Sequence, residues 1–163
     1  MATPDFVLSL REHVGHAPLW LTGVTAVVSR GDDVLLVRRS DTGAWTPVTG
    51  IVDPGEEPAD AAVREVLEEA DVHAEVLRLA RVGVTAPVTY ANGDEAQYLD
   101  VTFALRWTDG EPFPADGENT EAAWFPRDAL PPVSADMAER IDAALGDEVA
   151  ARFGRAGTVF RGA

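Results

Sequence analysis

The spacing of apolar residues changes several times along the chain, and each change marks an element. Phe6, Val7, Leu10 and Val14 fall on one side of a short helix. Thr3-Pro4-Asp5 opens it with an N-cap, a first-turn proline and an early acid, and Gly15 ends it. Val24 to Ser29 and Val34 to Arg38 are β-branched, apolar runs joined by Arg30-Gly31-Asp32-Asp33, which is a hairpin signature. Pro47, Gly50, Pro54 and Gly55 predict an irregular loop from Ala44 to Glu57. A helix starts at Pro58, with Val63, Val66, Leu67 and Ala70 as its i, i+3, i+4, i+7 stripe. Strands are expected at Val76 to Val84, Tyr98 to Trp107 and Ala122 to Phe125, separated by turn-rich segments. Met137, Ile141, Ala144 and Leu145 give a closing helix from Ala135 to Leu145 or beyond. The order β-β-loop-α-β-β-β-α predicts an α/β (α+β) fold in which a mixed sheet packs between helices. One domain spans 1–163, with 1–19 as a helical extension and 134–163 as a C-terminal helix and tail.

Composition narrows the chemistry. The absence of cysteine excludes disulfides, thiolate catalysis and cysteine-ligated zinc. No apolar run approaches the roughly 18 to 20 residues that span a bilayer. Asp5, Arg11 and Glu12 interrupt the N-terminus, which does not read as a secretory signal, so a cytoplasmic protein with no membrane partner is expected. The net charge is −15, and every one of the 13 basic residues is an arginine. Such a surface repels a nucleic-acid backbone, so no nucleic-acid partner is expected. A polyphosphate ligand is anionic too and needs a locally positive site, made by arginine or metal. Most of the acids only keep the protein soluble, and chemistry has to be found in their spacing.

That spacing is unusual on the helix from Pro58 to Asp71. With the apolar stripe centred near 0°, Glu68, Glu65 and Glu69 fall at about 140°, 200° and 240°. The three carboxylates are expected on one face, opposite the core, with Arg64 to the side and no base to pair them. Like charges at i, i+3 and i+4 repel by a few tenths of a kcal/mol per pair. Three hard oxygen donors on one rigid helix suit Mg²⁺ or Mn²⁺. A merely solvated acidic face is the competing reading. The preceding segment decides between them. Gly50-Ile51-Val52-Asp53-Pro54-Gly55-Glu56 leads through seven residues to Arg64-Glu65-Val66-Leu67-Glu68-Glu69-Ala70-Asp71-Val72. This resembles the Nudix box of the Nudix hydrolases, spanning 50–72. Gly50, Glu56, Arg64, Glu65, Glu68 and Glu69 match its fixed letters, and Val66 and Val72 its aliphatic positions. A chance match in a chain this long is on the order of one in a million.

Two positions depart from the box. Asp71 replaces its last glycine, where a left-handed backbone is expected that Asp tolerates better than most residues. Val48-Thr49 stands where many members have Pro-Gly. Weaker likenesses lie at Val37-Arg38-Arg39, at Trp45 and at Trp107-Thr108-Asp109-Gly110-Glu111-Pro112, so the resemblance covers nearly the whole chain.

The resemblance implies an αβα sandwich and a metal-dependent hydrolase, MutT-like or ADP-ribose pyrophosphatase-like. Its reaction would cleave a phosphoanhydride bond in a nucleoside diphosphate linked to another moiety. It assigns Glu65, Glu68 and Glu69 to the cation, with the Gly50 carbonyl as a further ligand, and pairs Glu56 with Arg64. Glu65 and Glu69 are then catalytic, assisted by a loop acid: Glu118 is preferred, with Asp116, Glu121 and Glu95 as alternatives. Arg38 or Arg39 would reach a phosphate, because neighbours on a strand point to opposite sides. Trp45 either stacks on a base or packs the loop, and Tyr90 is a weaker substrate-binding candidate. His13, His16 and His73 show no metal-ligand spacing. Pro87 and Tyr90 point toward different substrate classes, ADP-ribose and dinucleoside polyphosphates, while the strand layout looks closer to nucleoside-triphosphate hydrolases. A homodimer is open, since family members are often dimers. The alternative function is a non-catalytic nucleotide-sensing Nudix module, and a plain acidic metal-binding protein is the third.

Overall fold

The computed structural model describes residues 3–154. Strand β1 (Leu19–Arg30) is the axis of a mixed sheet. On one edge it runs parallel to β7 (Glu95–Asp109), from Leu19 opposite Ala96 to Ser29 opposite Arg106. On the other edge it forms the expected hairpin with β2 (Asp33–Arg39), but only at Ser29-Arg30. It then pairs Gly23 to Ala26 with β4 (Val48–Ile51) instead. Two groups of strands therefore diverge from β1. β2 carries β3 (Trp45–Thr46) and β8 (Asn119–Pro126), while β7 carries β5 (His73–Val84) and β6 (Val88–Thr89). The short β9 (Arg152–Phe153) adds to the outer edge of β5.

Side chains alternate across β1, and the helices cover both faces. Val24, Ala26 and Val28 join Leu35, Val37, Val48, Phe103 and Leu105 beneath helix α2 (Pro58–Ala70), which contributes Ala61, Ala62, Val66 and Ala70. Val27, Val34, Leu36 and Ala104 pack on the other side against Ile141, Ala143 and Ala144 of helix α3 (Ala135–Leu145). Helix α1 (Asp5–Val14) sets Val7 against Leu21 and Ala96. The layers are helix, sheet, helix, as expected. No helix of the described residues is long and apolar enough to cross a membrane.

Four details differ from the sequence reading. Residues 44–57 are not wholly irregular, because Val48-Thr49-Gly50-Ile51 is a strand held by β1. Two strands are longer than expected: β1 and β7 extend back through Trp20, Thr22 and Gln97, since parallel pairing continues there. In α1, Leu10 and Val14 are exposed and only Val7 is buried. The end of that helix is held by Arg11, which donates to the carbonyls of Gly15, Ala17 and Glu95, rather than by an apolar face. In α2 the core stripe is Ala62, Val66 and Ala70, whereas Leu67 is exposed. Helix α3 stops at Gly146, and residues 155–163 of the expected tail lie outside the described residues.

At the end of α2, Asp71 has φ 53° and ψ 34°, the left-handed conformation expected there. Its amide donates to the Leu67 carbonyl, closing the helix. A residue with a Cβ is strained in this region, and a negative charge at a helix C-terminus is disfavoured by the helix dipole. Asp71→Gly is therefore expected to raise stability by about 0.5 to 1 kcal/mol, after the larger entropy loss of glycine is subtracted. The midpoint of urea unfolding measures it. A lower midpoint would mean that Asp71 makes a stabilising interaction.

Candidate active site

The acids of α2 are not displayed on a face opposite the core. Glu65 and Glu69 are buried, at 3% and 5% relative exposure, and only Glu68 faces solvent. The helix packs through alanines, so its flank comes close to the sheet and carries these two carboxylates with it. Gly50 makes room for one of them: a Cβ there would overlap the Glu65 side chain. Strand β4 thus lays its backbone directly against Glu65.

Arg64 does not stand aside. Its guanidinium grips Glu56 through two hydrogen bonds, Nε to Oε1 at 2.8 Å and Nη2 to Oε2 at 3.0 Å. The same group donates to the Ile51 carbonyl, to Glu65 Oε1 at 2.9 Å and to Glu68 Oε2 at 3.1 Å. Glu56 Oε2 in turn accepts the Asp53 amide. One arginine therefore fixes the loop 52–57 to both β4 and α2, and a bidentate pair of this kind sets orientation as well as attraction.

A second loop approaches from the far end of α2. Gly110 turns it at φ 88°, where a Cβ would lie 2.6 Å from the Asp71 carbonyl oxygen. Arg30 lies over the Trp124 ring, 4.4 Å from its centroid, and pairs with Glu111. The amides of Phe113 and Ala115 donate to the carbonyls of Ala70 and Glu69. The loop is thereby pinned along the last turn of α2. Carboxylate oxygens of Glu69, Asp116 and Glu118 come within 4.8 Å of one another. Asn119, at the start of β8, donates its amide to Glu69 Oε2 at 3.0 Å and is itself buried. No sequence signal singles out Asn119, because a lone amide after a run of loop acids looks ordinary.

The electrostatics follow from burial. Removal from water pushes the Glu65 carboxyl up to about 7; Arg64 opposes the shift and Glu68 adds to it. Burial likewise pushes Glu69 up to about 7, opposed by the Asn119 hydrogen bond and reinforced by Glu65 and Asp116. The Arg64 hydrogen bond holds Glu56 below its ordinary range. The arrangement contains two buried acids that the protein's own cations do not fully balance. Oxygen donors gathered as closely as those of Glu69, Asp116 and Glu118 are the kind that a hard divalent cation takes.

The remaining sequence candidates scatter around this centre. Arg39 shares the α2 face with Leu35 and Val37 and binds Asp41 with two hydrogen bonds of 2.9 and 2.7 Å. Its charge interacts with Glu69 and Tyr90. Arg38 points to the opposite face and pairs with Glu121. Trp45 is also on that side, edge-on to Phe125 with centroids 4.9 Å apart, so packing against α3's cluster accounts for it. Tyr90 and Tyr98 share a 2.6 Å hydrogen bond between their hydroxyls. Glu95 lies in β7 beside Thr89, exposed and in the strand pair β6–β7. Of the four loop acids considered from the sequence, Glu118 and Asp116 meet Glu69, while Glu121 is paired with Arg38 on the other side of the sheet.

The surroundings of this centre match known proteins. The chain is 37% identical over 111 residues to an NAD-capped RNA hydrolase, NudC, of Pseudomonas aeruginosa; the match covers 67% of this chain and 37% of that protein. It is 32% identical over 134 residues to human 8-oxo-dGDP phosphatase NUDT18, covering 78% of this chain and 37% of that protein. The match thus spans well under half the length of these curated relatives. Among solved structures, an ADP-ribose pyrophosphatase from Streptococcus suis superimposes with a TM-score of 0.61 at 24% identity, covering 82% of this chain and 98% of that one. The NUDIX domain family model matches residues 20–145, a stretch that holds β2 to β8, α2 and both pinned loops, and the chain belongs to that family.

Proposed function

We propose that the chain is a metal-dependent pyrophosphohydrolase that cleaves a phosphoanhydride bond in a small nucleoside-diphosphate compound. The observation that carries this reading is the pair of buried carboxylates, Glu65 and Glu69, with Asp116 and Glu118 converging on Glu69. A structural protein gains nothing from two acids it must bury without full compensation. The relatives are named for NAD-capped RNA, 8-oxo-dGDP and ADP-ribose, compounds that share a nucleoside diphosphate. A net charge of −15 favours a small substrate over a long nucleic acid.

In this reading Glu65, Glu68, Glu69 and the Gly50 carbonyl would hold Mg²⁺ or Mn²⁺. A cation held there would offset phosphate charge and ease deprotonation of a water. Arg64 and Glu56 keep the loop and Glu65 in register and take no part in bond making. Glu118, delivered by the pinned loop 110–118, accepts the proton of the attacking water. Arg39 lies on the same side of the sheet and exchanges Asp41 for a substrate phosphate oxygen, a geometry its planar fork suits. Arg38 and Trp45 belong to the opposite face and are left out of substrate binding. Tyr90 borders the Arg39 side, where an aromatic ring can meet a base.

Phosphate or nucleotide release from ADP-ribose, diadenosine polyphosphates, and ordinary and oxidised nucleoside di- and triphosphates tests the proposal, with Mg²⁺, Mn²⁺ or EDTA. Metal-dependent turnover of one class above the others is expected; nucleotide binding without turnover would instead favour a sensing module. Glu69→Gln is expected to lower turnover at least about a hundredfold, since several kcal/mol of charge stabilisation is at stake. Its circular dichroism should stay unchanged because the core stripe Ala62, Val66 and Ala70 is untouched. Full activity in that variant would remove Glu69 from the centre.

The raised carboxyls also set a pH dependence. Between their unfolded value near 4.5 and about 7, the folded metal-free protein keeps protons that the unfolded chain has released. This contribution to stability therefore falls as pH rises through that window. The cation binds the ionised form, so protons compete with it at low pH. The rise in melting temperature on adding Mg²⁺ is expected to be larger at pH 8 than at pH 5.5. An equal rise at both would detach cation binding from these two groups.

A further inference from the structure

We propose that Asn119 is a positioning residue for the cation site: a bulge in β8 turns its amide onto Glu69 Oε2 and leaves Oε1 for the cation. The inference rests on the metal-dependent reading of α2 and adds a residue that lies outside the box. Its evidence is strand register. Glu121 pairs with Arg38 and Asn119 pairs with Arg39, so Thr120 is the extra residue of a β-bulge. Residues opposite one another on neighbouring strands share a face. Arg39 is on the α2 face with Leu35 and Val37, and the bulge places Asn119 there too. In a regular ladder Thr120 would oppose Arg39 and Asn119 would point away from α2. Re-aiming one side chain is what a bulge can do. Thr120 is exposed, and its hydroxyl donates to the Arg38 carbonyl at 3.3 Å across the irregularity.

The chemistry of an amide fits the place. Asn119 is 7% exposed, and its Nδ2 donates to Glu69 Oε2 at 3.0 Å. An amide N–H orients a carboxylate without bringing a positive charge that competes with a cation. An arginine in that position would compete with the cation, and a carboxylate would repel Glu69. A leucine would leave Oε2 without a partner. The backbone is fixed as firmly as the side chain: the carbonyl of Glu118, the preceding residue, accepts the Ser40 amide at 2.9 Å. The same short segment therefore delivers one acid to the centre and orients another.

The test is Mn²⁺ binding to the full chain, followed by the electron paramagnetic resonance signal of the free aquo ion. Outer partners of metal ligands contribute about tenfold to a hundredfold in affinity, and Asn119→Leu is expected to weaken Mn²⁺ binding by that factor. Asn119→Ser, smaller and polar but too short to reach Glu69, should lose affinity in the same way and serves if the leucine variant does not fold. A purely structural role predicts the reverse: a lower melting temperature of the metal-free protein with Mn²⁺ affinity within about twofold of the parent. That result overturns the inference while leaving the hydrolase reading in place. Failure of the parent chain to bind Mn²⁺ overturns both.

Discussion

The structure depends on one constraint: helix α2 must complete the core and carry buried carboxylates at once. Its answer is a narrow contact. Ala61, Ala62, Val66 and Ala70 are fully buried, and three of these four are alanines. Small residues bring the helix axis near the sheet, so that Glu65 and Glu69, one position off the core stripe, are buried by the same approach. The sheet reciprocates with Gly50, whose missing side chain is where Glu65 lies. Larger apolar residues on α2 would pack as well but would lift the carboxylates into water, where they would be ordinary surface acids.

Much of this was legible in the sequence, because the box is a set of local spacings. The helix and its start at Pro58 follow from distances of a few residues along the chain, and the left-handed Asp71 and the pairing of Glu56 with Arg64 from the resemblance to the box. The depth of Glu65 and Glu69 was not legible. A helical wheel built on Val63, Val66, Leu67 and Ala70 ranks residues by hydrophobicity, and it places alanine near neutral. The real core stripe is rotated toward the alanines, by packing against a sheet whose curvature no single segment specifies. The same limit explains β1 and β7, whose polar residues are held in strands by a parallel partner some 80 positions away in sequence.

The loop from Gly110 to Glu118 shows how a distant segment acquires a defined place. Its tethers are of three kinds: a glycine that alone fits beneath Asp71, an ion pair between Arg30 and Glu111, and two amides bonded to the last carbonyls of α2. Carbonyls at a helix end lack intrahelical donors, so a loop that supplies them is held without side-chain specificity. This is why the segment reads as unremarkable yet brings Asp116 and Glu118 to Glu69.

The opposite face of the sheet handles buried charge in a contrasting way, and the contrast separates structure from function. There Asp100 is buried beside Arg140, at 2.7 Å, and accepts from the hydroxyls of Thr25 and Thr102. Arg140 also donates to Thr25 and to Asp136. Each charge in that cluster has an opposite charge in contact, the condition under which buried ions are tolerated. Glu69 accepts from an amide, meets two more acids and feels the Arg39 charge, while Glu65 shares one arginine with Glu56 and Glu68. Both sites lie in the same small domain and use the same residue types. Only the first is matched charge for charge by its contacts; at the other, burial still pushes both carboxyls up, a cost that a divalent cation would offset.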